Sequence, residues 1–322
     1  MGMKRSTIKM VIRNKVNDWL KSIHDEGLRD MLRDEVVVTG GCITSMLLGE
    51  KPNDYDVYLR SADAVEAIAQ YYVDEWVKVK GKRGSGFEVQ YTPEVRRYRK
   101  VNVKGEDEER VSIYMRSVGV AGEMQTDYKY FEQYSEEESD DFVESLYNRE
   151  DKIEMSEEFL EELRDKKYKY RPVFMSENAV TLANKVQLVL RFHGEPDKIH
   201  ENYDFVHTTC SYDYRAGHLQ LPPEAMESIL SKTLIYRGSL YPLCSMFRIR
   251  KFVERGWRIT AGQMLKIAYQ ISHLDLDDRE TLKEQLIGVD VTYMYQLLSA
   301  LQNTQGRVDE TYLAKLIDGI FE

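Results

Sequence analysis

The stretch VVVTGGCITSMLLGEKPNDYDVYL, residues 36–59, constrains the fold of this chain more than any other part of its sequence. It opens with a β-branched run, continues with two adjacent glycines and a short apolar segment ended by Gly49, and closes with Asp-Tyr-Asp before a second apolar run. β-Branched residues bounded by glycine favour a buried strand, and a glycine after an apolar segment is typical of a helix end. The stretch predicts a strand at 35–39, a helix at 42–48, a turn at 51–53 and a strand at 54–59.

The two aspartates, Asp54 and Asp56, are the first candidates for chemistry. Side chains alternate along a strand, so both carboxylates are expected on one face. Two carboxylates a few Å apart repel each other and favour a hard divalent cation such as Mg²⁺ or Mn²⁺. The glycines Gly40 and Gly41 have a complementary property, because a backbone without Cβ atoms can approach a phosphate at the start of a helix.

The segment GGCITSMLLGEKPNDYDVYL resembles the head signature of the nucleotidyltransferase superfamily, in its tRNA CCA-adding and bacterial poly(A) polymerase branch. That signature is roughly GGxVRDxLLGxxxxDxDxx, and the match has no gap. Three later segments resemble later blocks of the same family and follow in the same order: AVTLANKVQLVLRFHGEP, ENYDFVHTTCSYDYRAGHLQLP and YPLCSMFRIRKFVERGWRIT.

This resemblance implies an α/β (α+β) nucleotidyltransferase head with a mixed sheet, a large insertion and a helical C-terminal domain. It implies a head at 1–215, with the insertion at about 80–172, and a neck-like domain at 216–322. It further implies transfer of a nucleotidyl group from an NTP, with Asp54 and Asp56 as catalytic metal ligands. The implied nucleotide-binding residues are Gly40, Gly41, Thr44, Ser45, Arg191, Asp204 and Arg250. The implied acceptor is an RNA or tRNA 3′ end, which would make the protein RNA-binding.

Two departures from the family pattern affect the implied active site. Thr44 and Ser45 stand where the family has Arg-Asp, so other cations or the helix end would bind the phosphates. Gln187 stands where the family has a third carboxylate, and an amide is neutral and a weaker metal ligand. Either two aspartates suffice, or another residue, such as Glu88 or Asp204, supplies the third carboxylate.

A third departure concerns the choice of base. The CCA enzymes select C and A through a Glu-Asp-x-x-Arg edge, and those positions hold Leu240, Tyr241 and Cys244 here. Leucine and cysteine do not offer the hydrogen bonds that this selection needs, and Tyr241 can at most stack on a base. We therefore do not expect typical CCA selection.

Several other segments have an ordinary structural interpretation beside a functional one. The basic and aromatic run formed by residues 78–83 and 96–100 either follows a nucleic-acid backbone or is a solvated surface. His193, His200 and His207 are interpreted as structural or surface residues rather than metal ligands. Arg191 is placed on a strand at 186–192, where it would neutralise triphosphate charge. The stretch 203–211 is predicted to be extended.

Composition limits the remaining possibilities. The net charge is −10. This charge argues against a protein whose entire surface binds nucleic acid, but it is compatible with a local basic groove. The three cysteines are far apart and form no CxxC, which fits a reducing compartment. No run of 18 apolar residues occurs, so we expect a cytoplasmic protein without a membrane span.

Two alternatives to RNA tailing are open. The nucleotidyl group is transferred to a protein side chain or a small molecule, or the chain is a catalytically weakened nucleotide- or RNA-binding protein that kept the fold. Thr44, Ser45 and Gln187 favour the second alternative, whereas the presence of both aspartates opposes it.

Overall fold

The computed structural model describes residues 2–81, 93–101, 105, 107–114, 169–278, 281, 282 and 285. The helices are α1 (Arg5–Ser22), α2 (Glu26–Glu35), α3 (Gly41–Leu48), α4 (Ala62–Gly81), α5 (Pro196–His200), α6 (Pro223–Ser231), α7 (Pro242–Glu254) and α8 (Ala261–Ile271). The strands are β1 (Val36–Thr39), β2 (Tyr55–Leu59), β3 (Glu94–Val101), β4 (Asp107–Tyr114), β5 (Pro172–Met175), β6 (Ala179–Leu182), β7 (Val186–Val189), β8 (Ser211–Asp213), β9 (His218–Gln220), β10 (Thr233–Leu234) and β11 (Arg258–Ile259). Glu88 and most of the predicted insertion lie outside the described residues.

One mixed sheet organises the first part of the chain. Its strand order is β5-β6-β7-β2-β1-β8-β9, in which β2 and β7 are parallel and the other neighbours are antiparallel. All four residues of β1 are buried, as expected for a β-branched strand in the middle of a sheet. Strands β3 and β4 form a separate antiparallel pair, and β10 pairs with β11. The predicted α+β class with a mixed sheet is confirmed.

Helices α1, α2 and α4 complete the core beside this sheet. The buried residues of α1 recur every three or four positions, which gives the helix one apolar face: Ile8, Ile12, Val16, Trp19 and Leu20. The indole Nε1 of Trp19 donates a hydrogen bond to the Tyr72 hydroxyl of α4, at 2.9 Å. The Asp25 carboxylate accepts from the Leu28 amide and caps α2.

Two strand predictions need correction. The stretch 203–211 is not extended, because Val206–Thr208 form a 3₁₀ turn and a strand begins only at Ser211. Its Phe205 and Val206 pair instead with residues 235 and 236, which are distant in sequence. Strand β7 ends at Val189, so Arg191 follows the strand rather than lying within it.

The chain divides into two compact units. Unit 1 comprises Met1–Glu201 and Thr208–Pro222, and unit 2 comprises Asn202–His207 and the chain from Pro223 onward. The domain boundary at 215/216 stays a prediction. Within the described ranges, no helix is long and apolar enough to cross a membrane.

Candidate functional site

The Gly40–Gly41 pair joins the end of β1 to the start of α3. Gly40 has φ 95° and ψ −155°, a conformation that is essentially restricted to glycine. Gly41 begins the helix, and a Cβ atom there would meet nothing within 4 Å in the described part of the chain, beyond its own neighbours. Gly40 is therefore required by backbone conformation, whereas Gly41 leaves open space above backbone N–H groups at a helix N-terminus.

The two aspartates lie directly beside this turn. Asp54 immediately precedes β2 and Asp56 is its second residue, so both side chains point to the same face of the sheet. Asp56 is opposite Thr39 in the antiparallel pairing of β1 and β2, and Thr39 is the residue before Gly40. Both aspartates are half-buried. The fold thus brings two carboxylates and the glycine turn to one end of β1.

The pKa of the Cys42 thiol is affected by the negative charge of this region. Burial raises the pKa of Cys42 well above its usual value, and the negative charges of Asp56 and Asp54 raise it further. The aspartates therefore act electrostatically on the first turn of α3. A thiol under these conditions stays protonated, so the buried Cys42 is a packing residue rather than a nucleophile.

Gln187 lies on the other side of Asp56. Strand β7 runs parallel to β2, and Gln187 is paired in register with Asp56. The same pairing continues to Thr181 on β6, so a polar row crosses one face of the sheet: Thr39, Asp56, Gln187 and Thr181. Neither strand that flanks β2 places a carboxylate opposite Asp56. Among the described residues, no group of three or more His, Cys, Asp or Glu is arranged to hold a metal ion.

Sequence reasoning missed a buried hydrogen-bond chain at the end of β1. The Thr39 hydroxyl donates to the Cys210 carbonyl at 2.8 Å and lies 2.8 Å from Nε2 of the buried His200. Because the single hydroxyl proton is used by Cys210, Nε2 of His200 is the donor to Thr39. The one signal in the sequence is a threonine that ends an otherwise apolar strand directly before two glycines.

Three further predicted nucleotide-binding residues lie in unit 1, and two of them are in α3. Thr44 is buried and Ser45 half-buried, both in α3. Arg191 is buried beyond the end of β7, with its guanidinium carbon 5.3 Å from the ring centroid of Phe192. The fold brings Thr44 and Ser45 together with the glycine turn.

Two predicted nucleotide-binding residues belong to unit 2 and make ion pairs there. The buried Asp204 carboxylate accepts a hydrogen bond from Arg248 at 2.7 Å. Arg250 is exposed and pairs with Glu254 at 3.1 Å. Both side chains therefore have structural partners within their own unit.

The positive charges of Arg96 and Arg97 on β3 are paired with nearby carboxylates. Arg97 pairs with Glu66 of α4 at 3.2 Å and with Glu109 of β4 at 2.9 Å. Arg96 pairs with Glu94 at 2.8 Å. These carboxylates reduce the positive potential that a groove for a nucleic-acid backbone needs.

The histidines fit their structural interpretation. His207 is buried against Trp257 and Phe252, with ring centroids 4.3 Å and 4.6 Å away. Burial lowers the pKa of His207 to about 4, while the nearby Asp204 opposes that change. Burial also lowers the pKa of the half-buried His193, against the charges of Glu109 and Glu108.

Comparison with known proteins identifies the family. Residues 10–232, more than half of the chain, match the family model described as Gabija anti-defense 2 family protein. The chain belongs to the Gabija anti-defense 2 family. The matched region of this family member contains the glycine turn, both aspartates, Gln187 and the whole mixed sheet.

No curated protein matches this Gabija anti-defense 2 family member. One solved structure that it resembles is the Thermotoga maritima CCA-adding enzyme complexed with tRNA_CCA, at 11% sequence identity and a TM-score of 0.34. The likeness covers 88% of this chain and 53% of that enzyme, so this chain spans about half of the enzyme's length.

Proposed function

We propose that this Gabija anti-defense 2 family protein is a metal-dependent nucleotidyltransferase. The observation that carries the proposal is the position of Asp54 and Asp56 on one sheet face, beside the glycine turn that starts α3. Carboxylates suited to a divalent cation and a backbone open to a phosphate are the two parts that an NTP site needs. The four sequence blocks that resemble the superfamily support the same assignment.

Each part of the site has a role in this proposal. Asp54 and Asp56 would hold Mg²⁺ or Mn²⁺, which when bound supplies positive charge to the phosphates at the reacting centre. The first amides of α3 would bind phosphate oxygens, with Gly41 leaving room for them. An acceptor hydroxyl forms a bond to the α-phosphorus, the bond to pyrophosphate breaks, and the hydroxyl proton is released. Positioning and electrostatic stabilisation provide most of the rate.

The acceptor in the proposal is an RNA 3′ end, as in the family branch that the sequence resembles. Base selection would differ from that of the CCA enzymes, because Leu240 and Cys244 replace polar selecting residues. The thiol of Cys244 donates to the Gln285 carbonyl at 2.8 Å, and the Leu240 carbonyl accepts from the Gln285 side chain at 3.0 Å. We propose that the reaction is the means by which this family member acts against Gabija defence, in the cytoplasm.

The test is incorporation of α-labelled NTPs with Mg²⁺ or Mn²⁺ into total RNA, protein and small molecules. Asp54→Asn and Asp56→Asn keep the side-chain shape and remove the charge, so product is expected to fall at least 100-fold in each. Asp30→Asn, a matched change at an exposed aspartate of α2, is expected to retain activity. A product confined to the protein or small-molecule fraction identifies a different acceptor. If no fraction contains an aspartate-dependent product, the protein is not this enzyme.

The second candidate function is nucleotide binding without transfer, which the neutral Gln187 beside Asp56 favours. In that case ATP binds, as measured by isothermal titration calorimetry, and no label is incorporated. Gln187→Glu would then restore a third carboxylate at the same sheet position. Gain of incorporation in that variant would distinguish a weakened site from one of unrelated purpose.

A further inference from the structure

Helix α1 carries an excess of positive charge in an otherwise acidic protein. Residues 4–22 contain one acidic side chain, Asp18, and six basic ones: Lys4, Arg5, Lys9, Arg13, Lys15 and Lys21. The whole chain, in contrast, has a net charge of −10. A local excess of this kind indicates a surface for an anionic partner rather than a property of the whole protein.

Three of these cations form a row along one flank of the helix. Arg5, Lys9 and Arg13 are four residues apart, so they are neighbours on the helix surface, about 6 Å apart along its axis. Arg5 and Arg13 are exposed, and Lys9 is half-buried. The row begins beside β9, because Nη2 of Arg5 donates a hydrogen bond to the Leu219 carbonyl at 2.6 Å.

The turn between β8 and β9 adds a fourth cation beside this row. The guanidinium carbon of Arg13 lies 5.7 Å from the ring centroid of Tyr214, and its Nη1 lies 3.3 Å from where a Cβ atom of Gly217 would be. Arg215 is exposed and lies between these two turn residues in the sequence. The row and the turn therefore form one surface in unit 1, the α1 basic surface, which comprises Arg5, Lys9, Arg13 and Arg215.

The four cations of the α1 basic surface are not neutralised by carboxylates. In the part of the chain that the structure describes, no Asp or Glu oxygen lies within 4.0 Å of their side-chain nitrogens. The one acidic residue of α1, Asp18, pairs instead with Lys169 at 3.4 Å. This surface therefore keeps the positive potential that the paired arginines of β3 lose.

Helix α1 lies on the opposite side of the sheet from the two aspartates. Nζ of Lys15 is 5.2 Å from the ring centroid of Tyr55. Tyr55 stands between Asp54 and Asp56 in the sequence, so its side chain points to the other face of the sheet. A ligand bound along α1 would therefore not occupy the candidate nucleotide site.

We propose that the α1 basic surface binds the phosphate backbone of a nucleic acid. Cations without partners at regular intervals along a helix fit a ligand whose negative charges are also regular, and a phosphate backbone has this property. The row is about 12 Å long, which corresponds to three or four phosphates of one strand at about 3.4 Å of helix axis each. The inference goes beyond the proposed function, because binding here needs neither an NTP nor the two aspartates.

Fluorescence anisotropy tests this proposal with the full chain and labelled single-stranded RNA and DNA, each of about 20 nucleotides, at about 50–200 mM salt. Both probes are expected to bind with similar affinity, because the cations contact phosphates rather than bases or sugars. The double variant Lys9→Gln/Arg13→Gln should weaken binding about tenfold at the low-salt end. The slope of log affinity against log salt should become shallower by about 0.7 for each cation removed.

The matched control is Arg96→Gln/Arg99→Gln. It removes the same charge from β3, where the two arginines have carboxylate partners at 2.8 Å and 4.0 Å. Affinity and salt slope should stay within about twofold of those of the natural sequence. Equal weakening by the two double variants would show an effect of net charge and would overturn the α1 basic surface.

A second variant keeps the proposal testable if Lys9→Gln/Arg13→Gln fails to fold. Lys9→Arg/Arg13→Lys exchanges the side chains but preserves both charges, so it should bind nucleic acid as the natural sequence does. A thermal unfolding curve checks the fold of each variant. Loss of binding in a folded Lys9→Arg/Arg13→Lys protein would contradict recognition by charge.

Other outcomes separate this inference from the proposed function. Absence of binding by the natural sequence at about 50 mM salt would overturn the inference. Equal competition by polyglutamate of the same total charge would assign the surface to an acidic protein and overturn it as well. Asp54→Asn and Asp56→Asn should bind nucleic acid as the natural sequence does. If they do but no label from NTPs is incorporated, the proposed function fails and this inference stands.

Discussion

Gly40 and Gly41 are adjacent but are glycines for different reasons. The left-handed backbone of Gly40 requires the absence of a Cβ atom. Gly41 has an ordinary helical start, and its Cβ position is open. Backbone conformation therefore accounts for the first glycine, whereas the second leaves the open space in which the proposed phosphate would bind.

This difference predicts opposite results for two matched variants. Gly40→Ala should lower the free energy of unfolding by about 1–3 kcal/mol, because the backbone is strained for any other residue. Gly41→Ala should leave the free energy of unfolding within about 0.5 kcal/mol, and should weaken ATP binding at least tenfold because the Cβ fills the phosphate space. Urea denaturation and calorimetric titration with ATP measure the two effects. ATP affinity unchanged in Gly41→Ala would contradict a phosphate site here.

At the scale of elements, the junction of β1 and α3 is fixed by hydrogen bonds from two segments that are distant in sequence. The His200 side chain, at the end of α5, and the Cys210 carbonyl, just before β8, both contact the Thr39 hydroxyl. Three separate segments thus fix the last residue of β1, directly before the glycine turn. The position of the glycine turn depends on these tertiary contacts as much as on its own sequence.

Removing the hydroxyl tests this junction. Thr39→Val keeps nearly the same shape and removes the hydroxyl that the buried Cys210 carbonyl and His200 Nε2 both contact, so we expect a loss of about 1–3 kcal/mol in the free energy of unfolding. Thr181→Val makes the same change at a half-buried position of the same row and should cost less than about 0.5 kcal/mol. Urea denaturation of both variants compares them. Equal stability of Thr39→Val and the natural sequence would show that the hydrogen-bond chain is not formed.

Whether an element could be predicted from the sequence depended on how local its contacts are. The glycine turn and its neighbours were predictable because their signals are local: β-branched residues, glycines and the alternation around Asp56. The stretch 203–211 was predicted wrongly because Phe205 pairs with Tyr236 and Val206 with Ile235. Pairing with a distant segment leaves no periodic pattern in the sequence.

At the scale of the whole molecule, the chain passes between two compact units more than once. Asn202–His207 belongs to unit 2, although the segments on either side belong to unit 1. Within unit 2 this short segment supplies Phe205 and His207 to an aromatic cluster with Phe252 and Trp257. This short segment is thus part of the aromatic core of unit 2.

The buried His207 makes the stability of unit 2 dependent on pH. Its pKa is about 4 in the folded protein and about 6.5 when unfolded, so the unfolded chain binds the proton first as the pH falls. The free energy of unfolding should therefore fall through this window, by about 2 kcal/mol between pH 7.5 and pH 5. His207→Phe keeps an aromatic ring without a titrating group. Over the same change of pH, its free energy of unfolding should fall by about 2 kcal/mol less than that of the natural sequence. Urea unfolding at the two pH values measures the difference, and equal losses in both proteins would contradict a neutral buried His207.

The sequence alone determined that Asp54 and Asp56 share a face, because side-chain alternation is a property of any strand. It also determined the glycine turn, because glycine is the residue that the backbone of Gly40 tolerates. Only the tertiary structure decided what lies beside Asp56. Strand order and register set Gln187 on one side and Thr39 on the other, and register arises from packing between segments that are distant in the chain.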